Sequence, residues 1–273
     1  MKEGKIILIT GSTDGIGYQT AIELAKSGYQ VIVHGRNLEK AQLTMKGIEK
    51  QTNNQNLSFV YADLGSFTQI KEMVSDIYNR FNRLDVLINN AGVYRSERSI
   101  TQDGLEETFA INYVAPFLLT NLLIDLLRNT KSSRIVNVVS RVQSNHFDFK
   151  NLNFEKGYTG VKAYAKSKTA LVLFTYLLAE KLKNTDIAVN CLHPGVIRTK
   201  LLRSASRSYG APLLDGAKTL MFAAIAPELE NISGKYFVNN RSEPSKDITY
   251  DKEIQKKLWK KTEEIIGMEF EYI

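Results

Sequence analysis

Residues 6–17 read Ile-Ile-Leu-Ile-Thr-Gly-Ser-Thr-Asp-Gly-Ile-Gly, and the rest of the fold follows from this stretch. Its first four residues are an apolar run rich in β-branched side chains, which indicates a buried strand. The glycine-containing turn at 10–17 leads into a helical pattern that stops at Gly28. Glycines let a backbone approach a pyrophosphate closely, and a helix N-terminus offers free N–H groups. Strand, glycine turn and helix in this order therefore predict a dinucleotide site, the alternative being a tight turn without a ligand.

Strand-like and helix-like segments alternate along the remainder of the chain. Strands are predicted at 5–10, 30–34, 57–62, 84–89, 134–139, 187–192 and 235–238. Helices are predicted at 16–27, 38–50, 67–81, 102–128, 160–183, 213–226 and 252–266. This alternation, with right-handed crossovers, predicts a Rossmann-like, doubly wound parallel α/β sheet flanked by helices, with ligands at the carboxyl ends of the strands. No linker, repeat or low-complexity segment interrupts the pattern, so we expect a single domain over residues 1–273.

A tyrosine and a lysine lie four residues apart in the segment Tyr164-Ala165-Lys166-Ser167-Lys168. Positions four apart share one face of a helix. An ammonium group near a phenol favours the phenolate, so Tyr164 and Lys168 are a candidate acid/base pair for work near neutral pH. Such a pair also occurs by chance in many helices, and its significance depends on the other motifs.

The first motif, with the spacing T-G-x-x-x-G-x-G, resembles the classical short-chain dehydrogenase/reductase family. Further matches follow in that family's order. They are Asn89-Asn90-Ala91-Gly92, Asn112 within Ile111-Asn112-Tyr113-Val114-Ala115, Ser140 at the end of a predicted strand, the Tyr164/Lys168 pair, and Pro194-Gly195-Val196-Ile197-Arg198-Thr199. The segments 233–238 and 258–259, and the long interval between Ser140 and Tyr164, resemble the retinol-dehydrogenase-like branch.

The resemblance implies an oxidoreductase that transfers a hydride between a nicotinamide and a hydroxyl or carbonyl group. It implies that Tyr164 is the general acid in reduction and the base in oxidation, and that Lys168 lowers its pKa and binds the nicotinamide ribose. Ser140 is expected to orient the substrate oxygen, and Asn112 to hold a water chain that reaches Lys168. Thr199 is expected to hold the nicotinamide carboxamide. Cofactor contacts are expected from Gly11, Ser12, Thr13, Asp14, Gly15, Ile16, Gly17, Arg36, Asn37, Asp63, Leu64, Asn90, Ala91, Gly92, Tyr164, Lys168, Pro194, Gly195, Val196, Ile197 and Thr199.

The end of the second predicted strand, residues 33–37, lacks the carboxylate that binds the ribose 2′-OH of NAD. Arg36 stands where an arginine can bind a 2′-phosphate, which favours NADP(H) over NAD; the alternative is an ordinary exposed cation. Asp14 opposes this choice, because some NADP-preferring relatives carry a basic residue there. Asp63 resembles the family residue beside the adenine, and it is also a candidate N-cap for the helix that starts near Phe67.

Three elements are expected on the substrate side, at 143–160, 199–215 and 240–273. The first contains Phe147, Phe149 and Phe154, which either wall an apolar pocket or pin the loop to the core. Residues 199–212 have few apolar anchors, so they are predicted to form a mobile lid, the alternative being a plain surface connection. The substrate is expected to be an apolar alcohol or carbonyl compound of the retinoid, steroid or lipid-aldehyde kind.

Composition excludes several other classes of protein. The net charge is +7, but the 36 basic residues are spread among 29 acidic ones, so no nucleic-acid partner is expected. His34, His146 and His193 lack metal-ligand spacing and only Cys191 can join them, so we expect neither a metal nor a disulfide. No signal segment and no run of about 18 apolar residues is present, so no membrane span is expected and the location is expected to be cytoplasmic.

Three other functions use related sequence features. Sugar-nucleotide epimerases and dehydratases share the Tyr/Lys pair, but typically show G-x-x-G-x-x-G and a longer C-terminal domain. A non-catalytic nucleotide-sensing module would usually lose one of Ser140, Tyr164 and Lys168, which are all present. An NAD-dependent dehydrogenase remains an alternative because of Asp14. The family often dimerises through the helices near 102–128 and 160–183, so a homodimer is one expected assembly.

Overall fold

The computed structural model describes residues 4–205 and 209–272. Within these residues eight strands form one sheet in the order β3-β2-β1-β4-β5-β6-β7-β8. They are β1 (Ile6–Ile9), β2 (Gln30–Gly35), β3 (Leu57–Tyr61), β4 (Val86–Asn89), β5 (Ser133–Val138), β6 (Ile187–His193), β7 (Tyr236–Val238) and β8 (Arg241–Glu243). The first seven are parallel, and β8 is antiparallel to β7. The predicted doubly wound α/β fold is confirmed.

Helices cover both faces of the sheet, as the alternating pattern predicts. They are α1 (Gly15–Lys26), α2 (Leu38–Thr52), α3 (Phe67–Arg80), α4 (Glu107–Phe109), α5 (Ala115–Leu122), α6 (Ile124–Arg128), α7 (Gly160–Lys181), α8 (Lys200–Ser204), α9 (Leu213–Ile225) and α10 (Lys252–Ile266). Apolar residues of α3, α5, α7 and α10 pack on one face, and those of α1, α2 and α9 pack on the other. No helix in the described part of the chain is long and apolar enough to cross a membrane.

The helix predicted at 102–128 differs from the observed structure. Helical structure begins only at α4, because the Glu106 carboxylate caps it by accepting the N–H groups of Thr108 and Phe109 at 2.9 and 2.8 Å. Before that point, Ile100 and Glu106 form an antiparallel bridge. A π-helical turn at Ala110–Val114 then separates α4 from α5. Single π turns are frequent at functional sites, and this one carries Asn112.

The strand β8 was not predicted. It returns against β7 through Asn239 and Asn240, whose φ angles of 49° and 61° place both in the left-handed region. Asparagine tolerates that region better than most residues, and two such residues make the tight turn of a β-hairpin. Arg141, which follows Ser140, pairs with Glu243 of β8 at 2.8 Å, so this short strand also borders the predicted site.

A buried histidine of β2 fixes the glycine turn to the sheet. His34 Nδ1 accepts the Gly11 N–H at 3.0 Å, so Nε2 carries the hydrogen and donates to the Ala62 carbonyl at 3.2 Å. The Ser12 hydroxyl donates to the Ile9 carbonyl at 2.8 Å and accepts the His34 N–H at 2.9 Å. Burial lowers the pKa of His34 to about 4. The ring is therefore neutral at physiological pH, as its two hydrogen bonds require.

We expect His34 to make the fold acid-sensitive. Its pKa is about 4 when folded against 6.5 when exposed, so between these values only the unfolded chain binds the proton, and the free energy of unfolding falls as the pH drops from about 6.5 to about 4. Urea unfolding across this range should show a slope that is smaller in His34→Gln than in wild type, by up to about 1.4 kcal/mol per pH unit. His193, whose pKa is also lowered to about 4 by burial, supplies part of the remaining slope.

The matched control is His146→Gln, because His146 is exposed. This variant should keep the wild-type slope. An unchanged slope in His34→Gln would contradict the neutral, buried role of the ring.

Candidate functional site

The glycine turn and the loop after β4 are packed backbone against backbone. The Thr10 hydroxyl accepts the N–H groups of Asn90 and Ala91, each at 3.0 Å, and the Asn90 amide donates to the Thr10 carbonyl at 2.8 Å. A Cβ on Gly17 would overlap the Asn90 amide and lie 2.6 Å from the Gly11 carbonyl. Gly11 has a φ of 64°, and a Cβ there would lie 2.9 Å from Ala91 Cα. Both positions therefore require glycine for this contact.

The N-terminus of α1 opens beside this contact. Asp14 is the N-cap of the helix and accepts the Gly15 N–H at 2.8 Å. The first turn of α1, which includes Ile16 and Gly17, contains no acidic residue. Free N–H groups at a helix start and a glycine turn without side-chain bulk fit the pyrophosphate of a dinucleotide. Thr13 lies at the surface of the same turn, whereas the Ser12 side chain is buried and occupied by its structural bonds.

The predicted adenosine-side residues lie at the carboxyl ends of β2 and β3. Arg36 is exposed directly after β2, and Asn37 caps α2 by accepting the Lys40 N–H at 3.0 Å. The Asp63 carboxylate accepts the Gly65 N–H at 2.9 Å and lines a cavity of about 270 Å³. Leu64, the residue that follows Asp63, is buried.

The N-cap alternative for Asp63 is wrong. Ser66 caps α3 instead, its hydroxyl accepting the Gln69 N–H at 3.3 Å. The Asp63 carboxylate remains at the edge of the cavity, whose wall includes Thr101 and Glu107. The pKa of Glu107 is lowered chiefly by its hydrogen bond with Arg95.

The segment Pro194–Thr199 follows β6 and leads into α8. Ile197 is buried and forms a parallel bridge with Ala211, while Val196 is half exposed and Gly195 adopts a φ of 94°. The Thr199 hydroxyl caps α8 by accepting the Leu202 N–H at 3.1 Å. Of the predicted lid at 199–212, residues 206–208 lie outside the described part of the chain.

The four predicted catalytic residues come together at the carboxyl ends of β4 and β5. Ser140 follows β5 and is buried, and its hydroxyl is near enough to Tyr164 of α7 to act on the pKa of that phenol. The Lys168 ammonium lies 5.7 Å from the Tyr164 ring centroid and donates to the Val138 carbonyl at 2.8 Å. A Cβ on Gly92 would lie 3.5 Å from that ammonium and 3.3 Å from the Asn112 amide oxygen.

Asn112 is held by two elements. Its amide oxygen accepts the Val93 N–H at 2.8 Å, and its amide nitrogen donates to the Val93 carbonyl and to the Ser167 hydroxyl, each at 3.0 Å. The side chain thus joins the loop after Gly92 to α7. It is fully buried, so it positions these elements rigidly.

Burial dominates the electrostatics of Tyr164 and Lys168. Desolvation raises the pKa of Tyr164 to about 12, and the hydrogen bond from Ser140 opposes that shift. Desolvation lowers the pKa of Lys168 to about 8. The shift of Tyr164 has the opposite direction to the one expected from the sequence, because the Lys168 ammonium is directed at the Val138 carbonyl and the phenol is buried.

The phenylalanines of the segment 143–160 pin it to the protein. Phe147 belongs to the main apolar cluster, and Phe149 packs against that cluster with its ring 5.1 Å from that of Phe147. Phe154 is buried, and the Lys166 ammonium lies 3.9 Å from its ring centroid. Of the two alternatives left open by the sequence, the structure favours anchoring over a pocket wall.

Two residues near the site, Tyr94 and Lys166, were not predicted to lie there from the sequence. The Tyr94 ring centroid lies 6.1 Å from that of Tyr164. The sequence feature that could have predicted this is the position of Tyr94 just after the Asn89–Gly92 motif. Lys166 is buried and donates to the Asn151 carbonyl at 2.5 Å, and burial lowers its pKa to about 8. The sequence does not predict that Lys166 is buried, because a lysine on a helix is usually exposed.

Comparisons with known proteins agree with this geometry. A family model described as short chain dehydrogenase matches residues 5–210. Retinol dehydrogenase 13 of Mus musculus is 38% identical over 283 residues, which cover 97% of this chain and 84% of that protein. Polyprenol dehydrogenase of Homo sapiens is 38% identical over 285 residues, which cover 97% of this chain and 86% of the relative.

A solved structure is also similar. A short chain dehydrogenase from Burkholderia cenocepacia, in complex with NADP, has a TM-score of 0.69 and 26% identity, covering 86% of this chain and 96% of that one. Motifs, fold, site geometry and relatives agree. The chain therefore belongs to the short-chain dehydrogenase/reductase family of oxidoreductases, and within it is retinol-dehydrogenase-like.

Proposed function

We propose that this protein is an NADP(H)-dependent oxidoreductase that transfers a hydride between the nicotinamide and a hydroxyl or carbonyl carbon of an apolar substrate. The observation that carries the proposal is the convergence of Tyr164 with buried Ser140 and buried Lys168, whose ammonium lies 5.7 Å from the Tyr164 ring centroid. These groups lie at the strand ends where the glycine turn also opens, which is where ligands bind in doubly wound sheets.

The proposed chemistry assigns each side chain a task. Bound NADP(H) supplies the hydride in reduction and accepts it in oxidation. As hydride reaches a carbonyl carbon, negative charge develops on the oxygen, which Ser140 stabilises by a hydrogen bond. Tyr164 then donates its proton to that oxygen. A pKa of about 12 keeps Tyr164 protonated at neutral pH, which suits a proton donor.

Lys168 and Asn112 prepare the site for this step. Lys168 keeps its charge below its pKa of about 8, and its ammonium is proposed to bind the nicotinamide ribose. Positive charge near the phenol, from the ammonium or the oxidised nicotinamide, favours the tyrosinate needed for oxidation. Asn112 holds Ser167 and Val93 and thereby fixes the position of α7 relative to the loop after β4.

The cofactor choice rests on the end of β2. Arg36 is exposed there, and residues 33–37 contain no carboxylate that would bind a ribose 2′-OH. The similar Burkholderia cenocepacia structure contains NADP. The substrate class rests on the relatives, whose names refer to retinol and polyprenol, both apolar alcohols.

Tyr164→Phe is expected to lower turnover by at least ~10²-fold, because it removes the transferable proton and keeps the ring. The measurement is NADPH oxidation with a panel of apolar aldehydes and ketones, alongside cofactor titration, which should be unchanged. Tyr78→Phe on α3 is the matched control and should be fully active. Wild-type turnover in Tyr164→Phe would contradict the assignment, and wild-type protein that binds NADPH but turns over nothing would favour the sensing module.

Arg36→Ala should weaken NADPH binding by about 1.5–3 kcal/mol and leave NADH binding nearly unchanged, because only the 2′-phosphate offers the guanidinium a charged partner. Dissociation constants for both cofactors, from fluorescence titration, test this. Lys50→Ala removes the same charge at the far end of α2 and should alter neither constant. If Arg36→Ala weakens NADPH and NADH binding equally, Arg36 does not bind the 2′-phosphate. If the wild type prefers NADH, the NADP(H) proposal is contradicted.

The segment around α8 is proposed to act as a lid. Residues 199–205 and 209–212 should gain protection from hydrogen exchange when NADPH and a substrate analogue are both bound, and less with NADPH alone. Residues of α9, which are packed on the core, serve as the internal control. If hydrogen-exchange protection of these residues is the same with and without the ligands, the segment is an ordinary surface connection and not a lid.

A further inference from the structure

Three consecutive residues at the start of α8, Thr199 to Leu201, lie next to the two loops at the site. The Lys200 ammonium forms an ion pair with the Asp14 carboxylate at 2.6 Å. The Thr199 methyl lies 3.6 Å from the position that a Cβ on Gly15 would occupy. A methyl of Leu201 lies 3.8 Å from the position that a Cβ on Gly92 would occupy. The first turn of α8 therefore bridges the glycine turn and the loop after β4.

The ion pair resolves the conflict that Asp14 creates. A carboxylate in the glycine turn repels a nearby phosphate, yet the end of β2 has the features of a 2′-phosphate site. In the structure the Asp14 charge is balanced by a lysine that lies far along the chain, at position 200. Lys40 of α2 adds a second, weaker positive influence on the same carboxylate.

A cavity beside Thr13, the neighbour of Asp14, has room for a phosphate. This cavity of about 530 Å³ lies between the glycine turn and α2, and its lining includes Thr13, Asn37, Glu39 and Lys40. The charged groups that act on the Asp14 carboxylate are Lys200 and Lys40.

We propose that Lys200 determines cofactor specificity by neutralising Asp14, so that an acidic glycine turn accepts a 2′-phosphorylated nucleotide. The inference rests on the proposed use of NADP(H). Lys200 acts through Asp14 and is a positioning and charge-balancing residue. Because Lys200 belongs to α8, the affinity for NADPH is coupled to the position of α8 over the site.

The pair contributes little to folding. The side chains of Lys200 and Asp14 are 72% and 48% exposed, and exposed ion pairs rarely stabilise a fold measurably. Its effect is therefore expected in cofactor binding and not in thermal stability, which separates the proposal from a merely structural role.

The test is a double-mutant cycle with NADPH and NADH as probes, measured by fluorescence titration at low salt. Lys200→Ala should weaken NADPH binding about three- to tenfold, the range of a partly exposed charge contact, and leave NADH binding within twofold. Asp14→Asn alone should bind NADPH at least as tightly as wild type. In the double variant Lys200→Ala with Asp14→Asn, NADPH affinity should return to within about twofold of Asp14→Asn, because no charge is left to balance.

Lys50→Ala is the control, because it removes one exposed positive charge at the far end of α2 and outside the proposed lid, and it should change neither constant. The melting temperature should be the same in all variants. Loss of NADPH affinity in Lys200→Ala that Asp14→Asn fails to restore would overturn the proposal, as would equal losses for NADPH and NADH. If the wild type prefers NADPH and Lys200→Ala leaves its NADPH affinity unchanged, this inference alone is overturned. If the wild type prefers NADH, both the proposed cofactor and this inference are overturned.

Discussion

The contact between the glycine turn and the loop after β4 is the constraint on which the site depends. Thr10 and Asn90 join the two loops through both backbone and side-chain hydrogen bonds, and Gly17 leaves room for the Asn90 amide. The two loops are some 80 residues apart in sequence, but β1 and β4 are neighbours in the sheet. The order of the strands reverses between them, which creates a crevice at their carboxyl ends. A side chain at position 17 would push these loops apart and remove the crevice floor.

The long helix α7 links that crevice to the core of the protein. Its N-terminal turns carry Tyr164 and Lys168, and its later residues are buried in the main apolar cluster. Aromatic rings from distant segments support it: Phe117 lies 5.1 Å from Phe174 and 4.8 Å from Trp259, measured between ring centroids. Tyr164 and Lys168 are therefore held by a helix that cannot shift without disturbing the core.

Burial pushes both partners of the Tyr164/Lys168 pair towards their neutral forms. It raises the pKa of the tyrosine and lowers that of the lysine, since charge is costly in a site that water reaches poorly. A charge brought into such a site has a large effect on both groups, because little solvent is present to screen it. The protonation of the pair is thus sensitive to any charge that lies beside it.

Local patterns were sufficient for most of the fold and for a set of residues that meet at one edge of the sheet. The alternation of apolar strands and amphipathic helices predicted the parallel sheet, and the motifs around Gly17, Ser140 and Tyr164 predicted residues that the fold brings to one edge, since parallel strands all end there. The late start of α4 and the strand β8 escaped prediction. The first depends on capping by Glu106, and the second on two left-handed asparagines.

Tertiary structure decided everything that depends on contacts between distant residues. The pKa of Tyr164 rises because the phenol is buried, and burial is a property of the packed chain that residue spacing does not contain. The role of His34 depends on the approach of β2 to the glycine turn, and the balance of charge at Asp14 depends on Lys200 arriving from α8. Sequence patterns report periodicity and short-range chemistry; they carry no information on which side chains of separate elements meet, because that is set by the packing of the whole sheet and its helices.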